Sequence, residues 1–275
     1  MITNSLAGIT SPFPLSQWQW IVVNTSGGKD SQTALRHVVA ACDRENVDRS
    51  RIVASHQHLG RCEWPGTLQL VEEHAHVYGI RLETSQYRNK AREQIDLLEY
   101  VRRRGKWPSA KQRFCTSEFK RGPGGRVLVR LSQERPGPIL NIYGFRAAES
   151  TARAKKREFA FNQRFSSSSR MVFDWLPIHE MSLDEVWADI RASGIRYHPA
   201  YDLGMPRLSC CFCIFAPKSA LMIAGRANPA LLDDYCDTEH AIGHTFQPDR
   251  PISAIRDAIR AGTDIQPAGD EAWNM

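Results

Sequence analysis

The sequence predicts an α/β protein with a doubly wound, mainly parallel sheet and a helical C-terminal extension. Three features carry that expectation. Short apolar runs alternate with helical periodicity between residues 20 and 84, the β-α-β-α-β order that builds parallel sheets. The first run, 20–23, enters a helix through a polar turn containing two glycines. After a last strand-like run at 172–177 no further strand pattern follows. With 275 residues, 42% of them hydrophobic, the chain can bury one large core with a small appendage. The expected organisation is therefore a sheet domain over 18–215, with helices over 216–275 extending the same domain.

Taken in order, residues 20–23 form the first strand, and the helical pattern from Gln32 puts Ala34, Leu35, Val38, Val39 and Cys42 on one face, making Cys42 a core residue. Residues 51–57 are the second strand. A loop over 58–67 leads to a helix carrying Leu68, Val71, Ala75 and Tyr78, which Gly79 closes before a third strand at 80–84. Residues 93–104 read as a helix with Ile95, Leu98 and Val101 inward and Arg102, Arg103 and Arg104 at its end. It leads into the segment 107–123, after which 138–144 is the next strand. The serine run 166–169 reads as a surface loop. Ser182-Leu183-Asp184-Glu185 is a capping box that starts a helix ended by Gly194. From Tyr197 the chain becomes irregular, then helical at 217–226, 229–241 and 251–261, with Asn228-Pro229 starting the second of these.

Composition narrows the class. Residues 1–17 have no basic cluster ahead of an apolar run, and no apolar stretch approaches 18 residues, so neither a signal peptide nor a membrane span is expected and the location expected is cytoplasmic. Seven unevenly spaced cysteines suit metal binding, reactivity or core filling better than a disulfide framework. The net charge of +6 is concentrated: residues 88–130 hold 13 Lys/Arg against four acids. Such density suits a polyanion, and Arg102, Arg103, Arg104, Lys106, Lys111 and Arg113 are its candidate contacts for nucleic acid; a solvated helix face is the other reading.

The chemistry centres on Ser26-Gly27-Gly28-Lys29-Asp30-Ser31. Two glycines let the backbone approach a phosphate, and the unpaired N–H groups of the helix's first turn point at it. Ser26 and Ser31 add hydroxyls, Lys29 a charge, and Asp30 a carboxylate for Mg²⁺. The spacing matches neither the Walker A loop nor the dinucleotide fingerprint. It resembles the S-G-G-x-D-S pyrophosphate loop of the adenine nucleotide α-hydrolase superfamily, whose members act on a nucleotide's α-phosphate and hold the pyrophosphate portion in this loop. That resemblance implies ATP and Mg²⁺ as ligands.

Further strings place the chain near the phosphoadenosine phosphosulfate reductase family over roughly 20–215. Gly144-x-Arg146-x-x-Glu149-Ser150 follows a strand, where Arg146 is set to grip phosphate, and matches that family's G-x-R-x-x-E-S. His198-Pro199-Ala200-Tyr201 matches its His-Pro-x-Tyr. Glu63, Trp64, Pro65 and Thr67 match its acidic-aromatic-Pro-x-Thr string, with His58 in place of an aspartate. The resemblance implies Asp30, Lys29 and Arg146 as catalytic groups, and Ser26, Gly27, Gly28, Ser31, Gly144 and Glu149 beside them as nucleotide contacts.

The cysteines refine this. Iron–sulfur members of the family hold a four-iron cluster with Cys-Cys-x-x-Arg-Lys-x-x-Pro and a later Cys-x-x-Cys. Here Cys115-Thr116-Ser117-Glu118-Phe119-Lys120-Arg121-Gly122-Pro123 and Cys210-x-x-Cys213 correspond, which implies three cluster thiolates, Cys115, Cys210 and Cys213. Cys211 or Cys236 is a possible fourth; a zinc site on Cys210 and Cys213 and a metal-free protein are the competing readings. The sulfonucleotide reductases use a C-terminal Glu-Cys-Gly string, and no cysteine follows Cys236. In motifs the chain therefore resembles most the ATP pyrophosphatases of DNA phosphorothioation. The expected function is ATP-dependent activation of an acceptor, nucleic acid, for sulfur insertion, with a donor such as a cysteine desulfurase as partner. A sulfonucleotide reductase and a non-catalytic nucleotide-binding module are the alternatives.

Overall fold

The computed structural model describes residues 11–265, so the ends of the expected N-terminal stretch and C-terminal extension, 1–10 and 266–275, lie outside the described residues. The strands are β1 (Trp20–Asn24), β2 (Ile52–His58), β3 (Arg81–Gln86), β4 (Ile139–Tyr143), β5 (Phe159–Phe161) and β6 (Val172–Trp175). The helices are α1 (Lys29–Arg44), α2 (Thr67–Val77), α3 (Leu97–Arg104), α4 (Phe114–Thr116), α5 (Gly122–Glu134), α6 (Thr151–Ala154), α7 (Leu183–Ser193), α8 (Lys218–Ala227), α9 (Pro229–Ile242) and α10 (Ile252–Arg260). These elements fall into two units. The first takes the chain up to residue 56 with 69–84 and 124–197; the second takes 57–68, 85–123 and the chain from 198. The C-terminal helices thus share a unit with 57–68 and 85–123, and the last crossing between the units lies at 197/198.

In the first unit the strand order is β3-β2-β1-β4-β6-β5. β1 pairs in parallel with β2 and β4, β4 in parallel with β6, and β5 runs antiparallel to β6 at one edge. The run Trp20-Ile21-Val22-Val23 is apolar throughout because both faces of β1 are covered. Trp20 and Val22 pack with Val127, Leu128 and Leu131 of α5, while Ile21 and Val23 pack with Leu35, Val38 and Val39 of α1. Cys42 lies in the same core as Ile21. Each fully buried side chain of this kind contributes about 1.5–3 kcal/mol, so the alternation along one strand holds two helical layers. This is the doubly wound arrangement expected. The capping box is present: Ser182 accepts from the Glu185 N–H, and Gly194 ends α7 at φ 64°.

The core of the second unit joins Leu97, Leu98 and Val101 of α3 to Leu221 of α8, Tyr235 of α9 and Ile255 of α10. Trp107 stacks on Tyr235 at 5.3 Å. Several boundaries differ from expectation. Helix α3 starts at Leu97, not 93, because the Asp96 carboxylate accepts the Glu99 N–H and caps it there. Asn228 precedes Pro229 as expected but makes no capping bond; its amide donates back to the Ala224 carbonyl at the end of α8. The segment 107–123 contains a helical turn, α4, followed by a π-helical turn, Ser117–Arg121, that runs on into α5. Gly122-Pro123-Gly124-Gly125 has the composition of a breaker, yet the helical course continues through it from the π-helical turn into α5.

Candidate functional site

In the first unit, the chain leaves β1 and turns at Gly27, whose φ of 73° lies in the left-handed region that glycine adopts without strain. Gly28, extended, is the N-cap of α1 and makes no side-chain capping bond, so the helix begins at Lys29, three residues before the expected Gln32. The first-turn N–H groups of a 16-residue helix and its dipole are thereby directed at the loop. Ser31 holds the turn closed: its hydroxyl donates to the Gly28 carbonyl at 2.8 Å and accepts the Ser26 N–H at 3.1 Å.

Asp30 joins two cations. Its carboxylate accepts Arg146 Nε at 2.6 Å and lies 3.3 Å from Lys29 Nζ, and the side chains of Lys29 and Arg146 are 1% and 3% exposed. Arg146 is set by its own segment, since its N–H donates to the Glu149 carboxylate at 2.9 Å, and Glu149 in turn pairs with Arg153. Gly144 explains the glycine of its motif. A Cβ there would meet the Asp30 carbonyl oxygen at 2.5 Å, so only glycine lets β4's end pass against the start of α1. Among the residues expected to contact nucleotide, the structure thus brings Ser26, Gly27, Gly28, Lys29, Asp30, Ser31, Gly144, Arg146 and Glu149 together around one loop.

The second unit gathers the cysteines. Cys115 lies on α4, Cys210 and Cys213 follow the irregular stretch, and the ammonium of Lys120, on the π-helical turn, lies within electrostatic reach of all three. The thiols, Cys210 foremost, hold Lys120 above its ordinary pKa, while burial pushes the Cys210 and Cys213 thiols up. Among the described residues the sulfurs of the three do not all come within 4.8 Å of one another, wider than the ~3.8 Å between thiolates sharing one tetrahedral zinc at about 2.3 Å. Of the two other candidate ligands, Cys211 donates its N–H to the Cys62 carbonyl at 2.8 Å, and Cys236 is buried in the apolar core with Leu232 and Ile255.

Two matched strings meet in the same unit. The Thr67 hydroxyl bonds the Trp64 carbonyl at 2.8 Å and lies 3.2 Å from His198 Nε2, while His198 Nδ1 accepts the Ala200 N–H. His58, at 3.4 Å from Glu63, is half-buried at the end of β2. The six basic candidates divide. Arg104, Lys111 and Arg113 line one depression of about 470 Å³, with Arg104 over the Phe114 ring and Arg113 over the Phe215 ring, each at 4.7 Å. Arg102 is turned inward, donating to Thr238 Oγ1 at 2.9 Å. Arg103 pairs with Glu99, and Lys106 is half-buried beside Trp107 in sequence. Lys120, at the lysine of the Cys115 string, and Arg121, which lines the same depression, are functional candidates beyond the six.

A family model described as the phosphoadenosine phosphosulfate reductase domain matches residues 20–216. The chain belongs to this family. The phosphoadenosine phosphosulfate reductase match thus covers the loop assembly and all three clustered cysteines. Over 121 residues the chain is 34% identical to an uncharacterized 37.8 kDa protein in the gpa 5' region of Escherichia phage 186, a match covering 43% of this chain and 34% of that protein. The chain spans about a third of the length of that curated relative. Similar solved structures include the phosphoadenylyl-sulfate reductase of Candida auris (18% identity, 69% of this chain and 80% of that one, TM-score 0.45). A U34-tRNA thiolase from Methanococcus maripaludis with its 4Fe-4S cluster gives 13% identity over 93% and 74%, TM-score 0.45. An FMN adenylyltransferase from Candida glabrata gives 12% over 71% and 56%, TM-score 0.48. Among the described residues, no helix is long and apolar enough to cross a membrane.

Proposed function

We propose that this protein is an ATP pyrophosphatase that activates an acceptor on nucleic acid for sulfur insertion. The observation that carries the reading is the gathering of Cys115, Cys210 and Cys213 about Lys120 in a chain that also holds an assembled pyrophosphate loop. The donor set fits an iron–sulfur cluster: three soft thiolate ligands with a cation beside them to offset their charge. A bound cluster would supply sulfur-binding chemistry; Cys115, Cys210 and Cys213 would hold it, and Lys120 would balance the site's charge.

The loop's part is positioning. The α1 N-terminus with the Ser26 and Ser31 hydroxyls receives the β- and γ-phosphates of ATP, Asp30 directs Mg²⁺, and Lys29 and Arg146 neutralise charge that grows on the leaving group. An acceptor oxygen attacks the α-phosphorus, the bond to the bridging oxygen breaks, and pyrophosphate departs. Sulfide from a sulfur donor then displaces AMP, forming the new bond to sulfur as the bond to oxygen breaks; sulfide enters at its own oxidation level, so no reductant is needed. Arg104, Lys111, Arg113 and Arg121 supply cationic contacts for the acceptor's phosphates.

The alternative in the same family is reduction of a sulfonucleotide. Incubating anaerobically prepared protein with γ-labelled ATP, Mg²⁺ and nucleic acid separates the two. Labelled pyrophosphate is the expected product; sulfite from adenylylsulfate or its phosphorylated form, with no pyrophosphate from ATP, identifies the reductase, and nucleotide binding without product identifies a non-catalytic module.

A further inference from the structure

We infer that Glu158, His179 and Glu180 form a divalent-cation site in the first unit, separate from the pyrophosphate loop and from the cysteines. The ligand atoms of the three residues lie within 4.8 Å of one another. His179 is 4% exposed, while both glutamates are exposed.

The histidine ring is oriented from outside the group. Its Nε2 lies 3.0 Å from the carbonyl oxygen of Arg153, at the end of α6. A carbonyl oxygen only accepts, so Nε2 carries the hydrogen, and in neutral imidazole Nδ1 is then a bare lone pair. That lone pair points to Glu180 Oε1 at 2.8 Å, with the Glu158 carboxylate adjoining. Acceptors this close need a cation. A proton on Nδ1 satisfies one carboxylate; a divalent ion satisfies the nitrogen and both carboxylates at once. Histidines that ligate metals characteristically donate the other ring N–H to a carbonyl or carboxylate, as His179 does. One imidazole nitrogen with two carboxylates suits Mn²⁺, Fe²⁺, Co²⁺ or Zn²⁺, the remaining positions falling to water because the glutamates face solvent.

The ligands come from segments that the fold already ties together. The Glu158 carbonyl, just before β5, accepts the Leu176 N–H at 2.8 Å, and the His179 carbonyl, after β6, accepts the Ala147 N–H at 2.7 Å. Ala147 adjoins Arg146, and Arg153 pairs with the Glu149 that fixes Arg146. An ion here braces the edge of the sheet and the segment that presents Arg146, so its role is structural.

Mn²⁺ is the appropriate probe, since it prefers oxygen and imidazole ligands over thiolates. Titration of the full chain without nucleotide, with free Mn²⁺ read by electron paramagnetic resonance, is expected to show one bound ion. Glu180→Gln and Glu158→Gln, at exposed positions where the fold is not at stake, should each weaken binding roughly tenfold or more, the scale seen even for groups one step removed from a metal. Cys115→Ser and Asp30→Asn should bind as the parent does. No Mn²⁺ bound by the parent, binding unchanged in both glutamate variants, or binding abolished in Asp30→Asn would each overturn the assignment.

Discussion

Asp30 shows how a loop carboxylate acquires two duties. On the proposed function it directs Mg²⁺, and in the structure it neutralises Arg146 and Lys29, two cations withdrawn almost wholly from water. Asp30→Asn keeps the shape but not the charge, and should lower pyrophosphate release by about 10²–10³-fold, the range seen when one electrostatic partner of a transition state is removed. Asp30→Ala should do the same and also lower stability, toward the bottom of the about 3–5 kcal/mol that removing one partner of a buried ion pair costs. Equal denaturation midpoints for Asp30→Ala and the parent would show that the pair does not hold the loop. Among the cysteines, serine at 115, 210 or 213 should abolish iron binding, whereas Cys236→Ser should leave it intact, because Cys236 fills the apolar core with Leu232 and Ile255, and Lys120 is held by the other three. Iron analysis of anaerobically purified variants reads this directly. Cys42 gives a third test. Burial pushes its thiol up to about 12 from 9.0, so the unfolded chain ionises first as pH rises. Its contribution to stability is complete below about 9 and declines as pH climbs toward 12, and alkylation at pH 8 should reach it only after unfolding. Labelling of Cys42 in the folded chain would contradict its burial.

At the scale of elements, what was legible in the sequence was local. The Ser182–Glu185 capping box and Gly194 specify α7 within a dozen residues, and the apolar runs of β1 and β4 mark strands covered on both faces. The motif glycines were legible as well, though the reason for Gly144, a close approach to the Asp30 carbonyl, needs two distant segments in register. The helical course of 114–134 was not legible, because Gly122–Gly125 mimics a loop, and the three-residue β5 is too short to show a period. Nor was the inward turn of Arg102, which depends on Thr238 of α9. That placement changes which arginines to test. Replacing Arg104, Lys111 and Arg113 with glutamine should weaken nucleic-acid binding almost equally for any sequence and make log affinity less steep against log salt, by about 0.9 for each duplex phosphate that is no longer neutralised. Arg102→Gln should instead loosen α3 from α9 and appear as reduced stability. A salt slope that shifts with Arg102→Gln and not with the triple variant would reverse the assignment.

For the whole molecule, the chain passes repeatedly between its two units, at 56/57, 68/69, 84/85, 123/124 and 197/198, so neither is a contiguous domain that a single cut in the sequence would release. This organisation was hidden because no linker composition marks the crossings; two family strings lie beside them, Glu63–Thr67 just before 68/69 and His198–Tyr201 just after 197/198. The strings meet through Thr67 and His198, a pairing that binds segments far apart in sequence within the second unit. On the proposed function, one chain joins two chemistries, ATP cleavage at the α-phosphate and delivery of sulfur to nucleic acid. The measurement that tests it most directly is transfer of ³⁵S from labelled sulfide to nucleic acid by the anaerobically purified protein, followed with and without ATP. Label stably held by the nucleic acid is expected only when ATP is present, with AMP and pyrophosphate formed in step with the label. Pyrophosphate release with unlabelled nucleic acid, or labelling that does not depend on ATP, would contradict it.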